Sequence, residues 1–504
     1  MRNDFNNTRP SILETGSPLF CDLYHLTMAQ AWFLDGKAEE IKTSESFFRR
    51  CPFGGSYLLA AGLAEFSQWL NNWRFSEEDI AYLRDLKNAD GSNRFSEDFL
   101  KYVKNDKLRV SIKAVNEGEV IFPNEPIYSV TGPCWQVEII EAALLNIFNS
   151  QSLIATKASR IARASTLDGV QRPLLEFGLR RGQELGCFSA TRASYIGGAT
   201  GTSNVAAGKH YGIPVSGTMA HSFIMSYENE LDAFKAYMRT SKGNTTLLVD
   251  TYDTREGVKN AIRAAKETGI KLMGMRIDSG DLAYWAKEAR KIIDEELENM
   301  DDKSLISDVK LVASNDLDEY AIENLVMVQN APYDIFAAGT KLVTAYDCPA
   351  LGGVFKTKRY NGEPKIKIAE GKTTIPGDTD VVRIIRNGKY DGDVICRAND
   401  NVVENGKLVS NITSYTLGSQ NMAKVTFSKG DEAYTLLQPL MENGKFVRIP
   451  EFNVNVLQKR AKDNLAMLDE SHKRLSNPHI YGVGLETRLF NLQQDLIKAH
   501  SGRE

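Results

Sequence analysis

Cysteine is sparse and never paired. Cys21, Cys51, Cys134, Cys187, Cys348 and Cys396 stand far apart with no Cys-x-x-Cys, which argues against a disulfide framework or a cysteine zinc site and for reduced thiols. No stretch approaches the ~20 apolar residues that span a bilayer. The leading MRNDFNNTRPSILETGSPLF lacks the apolar core of a signal peptide. Basic excess is missing too: the formal charge is −4, so nucleic acid is not expected as the main partner. Only His25, His210, His221, His472, His479 and His500 are available, and no two have ligand spacing beside a third donor. A metal–histidine cluster is therefore not expected. There is no repeat, low-complexity tract or Gly/Ser linker. What remains is a soluble, cytoplasmic chain of 504 residues, 42% apolar and 25% charged, long enough for two or three domains with a sizeable core.

Three stretches differ in pattern. Residues 1–150 read as α+β: a helix over 22–35, a strand at Phe47-Phe48, a turn at Cys51 to Gly55, a helix over 57–72, and alternating strands from Leu108 to Thr131. A helix over about 135–165 is apolar on nearly all sides in its first half, which predicts deep burial. Within 151–351 short apolar runs alternate with helices such as 254–268 and 281–297. The runs are 174–178, 213–218, 245–251, 271–278, 309–316 and 333–340. Parallel strands joined by helical crossovers demand this rhythm. A barrel fits it better than an open doubly wound sheet, which is the alternative. In 352–504 strands with Gly and Asn turns return to the first block, and 451–500 is largely helical, packed outside.

Most runs end in residues able to do chemistry: Arg180-Arg181, Thr218 to His221, Asp250 to Asp253, Arg276 to Asp281, Ser314 to Asp316 and Gly339-Thr340-Lys341. Barrel active sites are built at such strand ends. Some of these residues are expected to be helix caps, with Thr254, Ser279 and Asp316 suited to it. Capping does not account for Arg180, His221 or Arg276. His221 follows the small-residue turn Gly217-Thr218-Met219-Ala220. It is either a satisfied structural histidine or a base or nucleophile toward phosphorus. Gly197 to Asn204 opens a helix and Gly339-Thr340-Lys341 ends a late run, both suited to anions, although no G-x-x-x-x-G-K-[ST] is present. Arginine grips carboxylate or phosphate through a planar fork. Asp278 and Asp281 suit ribose hydroxyls or an Mg²⁺ on phosphate. Each is an ordinary surface ion pair if taken singly; at successive strand ends they point to an anionic sugar phosphate.

These segments carry a family likeness. Asp22-Leu23-Tyr24, Phe47-Phe48-Arg49, Pro52 to Gly55, Glu176 to Arg181, Gly201 to Asn204, Gly217 to Ser222, Val249 to Thr254, Arg276 to Asp281, Ser314 to Asp316 and Gly339 to Thr344 occur in the order seen in nicotinate phosphoribosyltransferases, which the chain resembles over most of its length. The resemblance implies an irregular TIM-like α/β barrel with an α+β sandwich-like domain built from the N- and C-terminal segments. It implies condensation of nicotinate with 5-phosphoribosyl 1-pyrophosphate to nicotinate mononucleotide and pyrophosphate, in NAD biosynthesis. ATP would be hydrolysed alongside through a phosphohistidine at His221, with Asp278 also catalytic. Nicotinate would be held by Arg180, Thr218 and Arg276, and by Tyr24 from the partner of a homodimer. Lys157, Arg276, Asp278, Ser314, Gly339 and Thr340 would hold the phosphoribosyl pyrophosphate, with Mg²⁺ arriving on the substrate near Asp278 or Asp281. A sister family acting on nicotinamide has aspartate in a Gly-Thr-Asp run. Here Gly201-Thr202-Ser203 avoids repelling the substrate acid. Cys21 stands where the family often has threonine, beside Tyr24.

Three alternatives stay open. One is a phosphoribosyltransferase for nicotinamide or quinolinate. Another is a non-catalytic nucleotide-binding barrel, which would be expected to have lost His221, Arg276 or Asp278. The third is an unrelated aldolase-type barrel, with Lys341 as the one candidate Schiff-base lysine.

Overall fold

A computed structural model of the chain describes residues 15–241, 243–417 and 423–501; most of the leading segment, 1–14, lies outside them. The chain divides into two compact units. One comprises Leu153–Pro349 with Asn453–Gln458. The other takes the residues up to Ser152, then Ala350–Phe452, then those from Lys459. No helix among the described residues is long and apolar enough to cross a membrane.

The unit centred on Leu153–Pro349 is built on six parallel strands: β1 Leu174–Glu176, β2 Gly201–Thr202, β3 Thr246–Leu248, β4 Gly274–Ile277, β5 Lys310–Ala313 and β6 Ile335–Ala338. Their order across the sheet is β2-β1-β6-β5-β4-β3, every pairing parallel. The sheet curls as half of a barrel. Continuous apolar runs arise because such strands are covered on both faces; Leu247, Leu248, Met275, Ile277, Leu311, Ala313, Phe336 and Ala338 are fully buried. Helices Thr254–Thr268 and Leu282–Glu298 make the β3–β4 and β4–β5 crossovers. The first repeats apolar residues at Val258, Ala261, Ile262 and Ala265, all buried, one stripe of a 3.6-residue period. It lies so close to the exit of β3 that a Cβ on Gly257 would sit 2.0 Å from the Val249 carbonyl oxygen. Only glycine permits that approach.

The expected strand over 213–218 is not a ladder strand. Its pairing is the single bridge Thr202↔Val215, and the sheet edge is instead Gly201–Thr202, within the glycine-rich stretch expected to open a helix. That helix begins at Val205, capped by Asn204. The expected caps also shift. Asp253 caps the helix that starts at Thr254, Asp281 rather than Ser279 caps Leu282–Glu298, and Asp318 rather than Asp316 caps Glu319–Glu323.

The other unit holds two large sheets. In the seven-stranded sheet, strand Ile41–Phe48 lies between Tyr128–Pro133 and Gly353–Tyr360, and Ser111–Ala114 lies between Tyr128–Pro133 and Gln438–Glu442, all antiparallel. Strands from 352–450 thus return to the N-terminal block, as the resemblance implied. The eight-stranded sheet is centred on Thr379–Arg386 and Lys389–Arg397. Its Val483–Glu486 strand pairs parallel to Lys389–Arg397 and interrupts a region expected to be helical. Helix Leu63–Asn71 starts later than expected because Leu58–Leu59 is a strand. The deeply buried helix is present as Cys134–Ala164, with Trp135, Val137, Ile139, Ile140, Ala143 and Leu144 wholly buried.

Between those strands a charged group is fully enclosed. Arg383 donates through Nε and Nη2 to Asp393 (3.0 and 2.6 Å). Asp393 also accepts the Tyr481 hydroxyl at 2.9 Å, and Glu125 lies 3.9 Å from Arg383. Burial, and then the Asp393 charge, raise the Glu125 carboxyl well above its ordinary range. Phe122 stacks on Tyr481 with centroids 3.8 Å apart, covering a pair that would otherwise be costly to bury.

Candidate active site

Arg276, in β4, organises the ends of the central strands. Its Nε donates to Ser314 Oγ (2.8 Å), its Nη1 to Thr218 Oγ1 (3.0 Å), and its Nη2 pairs with Asp278 Oδ1 at 3.0 Å. Ser314, buried just past β5, donates its hydroxyl to the same Asp278 oxygen. The guanidinium lies 5.7 Å from the centre of the Phe177 ring, which follows β1. One planar fork therefore ties three loops together, which a lysine ammonium cannot do. Past Ser314 the backbone turns through two left-handed residues, Asn315 (φ 86°) and Asp316 (φ 45°), a conformation uncommon outside glycine and concentrated at functional turns.

His221 joins this group. Its Nε2 is 3.8 Å from Asp278 Oδ2, and its Nδ1 is 3.1 Å from Thr251 Oγ1. The ring is about two-fifths exposed, open to a ligand. Asp250 lies behind: its Oδ2 accepts the Asp278 N–H (2.8 Å) and the Ser279 hydroxyl (2.6 Å). Its Oδ1 is buried without a hydrogen-bond partner among the described residues. Asp281 is committed differently, accepting the Tyr284 N–H at 3.0 Å as a helix cap.

Gly339 and Thr340 follow β6 directly. Gly339 is packed against the Phe177 backbone, whose carbonyl oxygen would be 3.2 Å from a Cβ there, so the Gly339-Thr340 turn lies against the turn that follows β1. Arg180 is exposed in the turn after β1. Lys157 is placed otherwise. It is fully buried, with Nζ 2.6 Å from both Glu319 Oε2 and Asp347 Oδ1. Lys341 pairs with Asp318 at 2.6 Å, and that hydrogen bond raises its pKa. A Schiff-base lysine needs the opposite, so the aldolase reading loses its one candidate.

Tyr24 belongs to the other unit, half exposed on helix Leu23–Leu34, its ring 4.0 Å from that of His25. Burial, then Asp22, pushes the neighbouring Cys21 thiol up to about 12, so Cys21 is a neutral packing group. His25 is itself buried beside Glu138 and Glu141, one donor atom of each within 4.8 Å of the others. Its Nδ1 accepts the Asp22 N–H at 3.0 Å, which puts the neutral ring's proton on Nε2, facing Glu141. A protonated ring nitrogen does not ligate, so the trio suits an N–H against carboxylates rather than a metal.

Phe177, Asp250 and Thr251 were not among the expected site residues. All lie in segments singled out in the sequence as matched motifs or strand ends. Their neighbourhood was legible, and their orientation was not.

Known proteins match this chain throughout. Residues 19–149 match the nicotinate phosphoribosyltransferase (NAPRTase) N-terminal domain, 173–387 the nicotinate phosphoribosyltransferase (NAPRTase) family, and 379–493 the nicotinate phosphoribosyltransferase C-terminal domain. The chain is 41% identical over 480 residues to the nicotinate phosphoribosyltransferase of Bacillus subtilis (strain 168), covering 93% of this chain and 92% of that one. It is 30% identical to the Homo sapiens nicotinate phosphoribosyltransferase, over 98% and 99%. The crystal structure of human nicotinic acid phosphoribosyltransferase superposes with a TM-score of 0.79 at 29% identity, covering 94% and 99%. Nicotinate-nucleotide pyrophosphorylase from Pyrococcus furiosus shares the fold at a TM-score of 0.66 and 21% identity, covering 92% and 99%.

Proposed function

Because the chain belongs to the nicotinate phosphoribosyltransferase family, we propose that it joins nicotinate to 5-phosphoribosyl 1-pyrophosphate, forming nicotinate mononucleotide and pyrophosphate for NAD biosynthesis. The observation that carries this reading is the convergence of Arg276, Thr218, Ser314, Asp278 and His221 at adjoining strand ends. The pyridine nitrogen attacks the anomeric carbon, the pyrophosphate leaves with the C–O electron pair, and the ring becomes a pyridinium. Little activation of the nucleophile is needed, so positioning and stabilisation of the leaving oxygens dominate.

In this reading Arg276 and Thr218, with Arg180, meet the nicotinate carboxylate, and the Phe177 face carries the ring. Asp278 faces the ribose, where its carboxylate favours the oxocarbenium-like charge. Ser314, Gly339 and Thr340 receive the phosphoribosyl oxygens. Lys157 joins them only if it leaves Glu319 and Asp347. An Mg²⁺ fits the donor set, since Asp250 Oδ1 is buried without a partner next to the Asp278 backbone; Asp250 and Asp278 would hold it, and it supplies charge neutralisation on phosphate oxygens. Asp281, spent as a cap, is the poorer candidate.

ATP hydrolysis is coupled in the same reading. A His221 nitrogen takes the γ-phosphoryl group, ADP leaves, and water later cleaves the N–P bond to give phosphate. The working unit is a homodimer in which the partner's copy of Tyr24 stacks on the pyridine; exposure of Leu23 and Tyr24 side by side supports a covered face there.

Incubation with nicotinate, phosphoribosyl pyrophosphate, Mg²⁺ and ATP should yield nicotinate mononucleotide, while nicotinamide and quinolinate should react poorly. His221→Ala should abolish ³²P transfer from γ-labelled ATP to the protein. Labelling that persists would remove His221 from the ATP step and leave the phosphoribosyl transfer standing.

A further inference from the structure

Glu176, the last residue of β1, is not a residue that the proposed chemistry uses, yet it is 99% buried. Its side chain is fully committed. Oε1 accepts the Gly178 N–H; Oε2 accepts the hydroxyls of Thr191 (2.9 Å) and Thr202 (2.6 Å). The Glu176 carbonyl oxygen also accepts the Ser203 N–H at 2.9 Å. One residue thereby holds the turn that carries Phe177 and Arg180, helix Gly186–Ile196 through Thr191, and the Gly201-Thr202-Ser203 segment.

The polarity of this network is fixed from outside. Asn204 donates its backbone N–H to Thr202 Oγ1 (2.9 Å) and its Nδ2 to Thr191 Oγ1 (3.3 Å). Both hydroxyls therefore send their protons to Glu176. The site demands a group with acceptors only, on both oxygens, which an ionised carboxylate supplies and an amide does not. Gly178 has no room to adjust, because a Cβ there would lie 2.3 Å from Val343 Cγ1.

We infer that Glu176 is the positioning residue of the pyridine pocket. It fixes the Phe177–Arg180 turn against the Thr202-Ser203 turn, and so sets both the affinity for the pyridine and the preference for its acid over its amide. The inference rests on the proposed nicotinate site. Glu176 touches neither the reacting atoms nor the phosphoribosyl half, so its loss should be felt in one substrate.

Glu176→Gln places an NH₂ against either the Gly178 N–H or two hydroxyls that have lost their acceptor, and leaves a buried donor unpaired in each case. The expected result is a rise of tenfold or more in KM for nicotinate and a reduced nicotinate-over-nicotinamide ratio. KM for phosphoribosyl pyrophosphate and ³²P labelling of His221 should stay within threefold. Thr202→Val should shift the same two quantities less, and Thr202→Ser should restore them; these two variants carry the test if Glu176→Gln does not fold. An unchanged nicotinate KM, or parallel changes in both substrate KM values with no rescue by serine, overturns the inference. Failure of the unsubstituted enzyme to use nicotinate would instead overturn the reading on which it rests.

Discussion

Arg276→Lys is the sharpest perturbation the site offers. Lysine keeps the positive charge but replaces a planar fork with one ammonium. Of the three contacts to Ser314, Thr218 and Asp278, the shorter side chain can retain one. Hydrogen bonds to charged groups contribute about 1.5–3 kcal/mol each when buried. The Arg276 side chain is only 15% exposed and Asp278 28%, so screening trims this modestly. Losing two such bonds amounts to about 3 kcal/mol. If half or more of that is expressed in the transition state, kcat/KM for nicotinate falls by about 10- to 150-fold. Steady-state kinetics with both substrates varied measures the loss, and a thermal melt shows how much went into stability instead. A stable Arg276→Lys enzyme whose kcat/KM stays within threefold would refute the claim that the fork organises the site.

Other outcomes follow from the same geometry. Gly178→Ala would push a methyl against Val343. Overpacking of this kind costs about 1–3 kcal/mol, so nicotinate binding should weaken, and the double variant with Val343→Ala should recover most of it. Arg383→Met leaves Asp393 and Glu125 buried without their cation; it should destabilise the protein by about 3–5 kcal/mol, read by urea titration. Asp380 is buried, and that burial raises its carboxyl to about 6. The folded state therefore binds more protons than the unfolded chain between about pH 4 and 6. Stability should fall as pH rises through that window and stay lowered above it. Asp380→Asn keeps an acceptor for the Val381 and Leu437 N–H groups. It should flatten the fall and add about 1–3 kcal/mol at pH 7.5, whereas an unchanged pH profile would show that Asp380 does not titrate there.

The parallel-strand unit was legible because covered strands leave apolar runs with polar ends, and five of the six runs, those leading to β1, β3, β4, β5 and β6, became strands within the expected limits. The run at 213–218 failed because Pro214, which has no N–H for a ladder, interrupts its apolar pattern, and only the bridge Thr202↔Val215 forms. Gly201 and Thr202 carried the pairing instead. Caps slipped by one or two residues because Ser, Thr and Asp suit the position alike, and only the first helical backbone angle decides among them. Of the candidates, Arg276, Thr218, Ser314, Asp278 and His221 lie together at successive strand ends. Lys157 pairs with Glu319 and Asp347, and nothing in sequence tells a lysine held by carboxylates from one that meets phosphate. Phe177 and Thr251 act through orientation, which a motif does not encode.

The order of strands in the seven-stranded sheet bears on how the protein is made. Ile41–Phe48 needs Gly353–Tyr360 as one of its two neighbours, and Ser111–Ala114 needs Gln438–Glu442. During synthesis those first strands leave the ribosome some 300 residues before their partners exist. They wait with unpaired edges, at the stage when exposed strands invite aggregation. The parallel strands β1 to β6 all lie within residues 174–338, and their pairings need nothing from the last third of the chain. A chain truncated near residue 350 would therefore carry all six parallel strands but leave Ile41–Phe48 and Ser111–Ala114 short of a neighbour each, so the last third of the chain is expected to protect the first from aggregation.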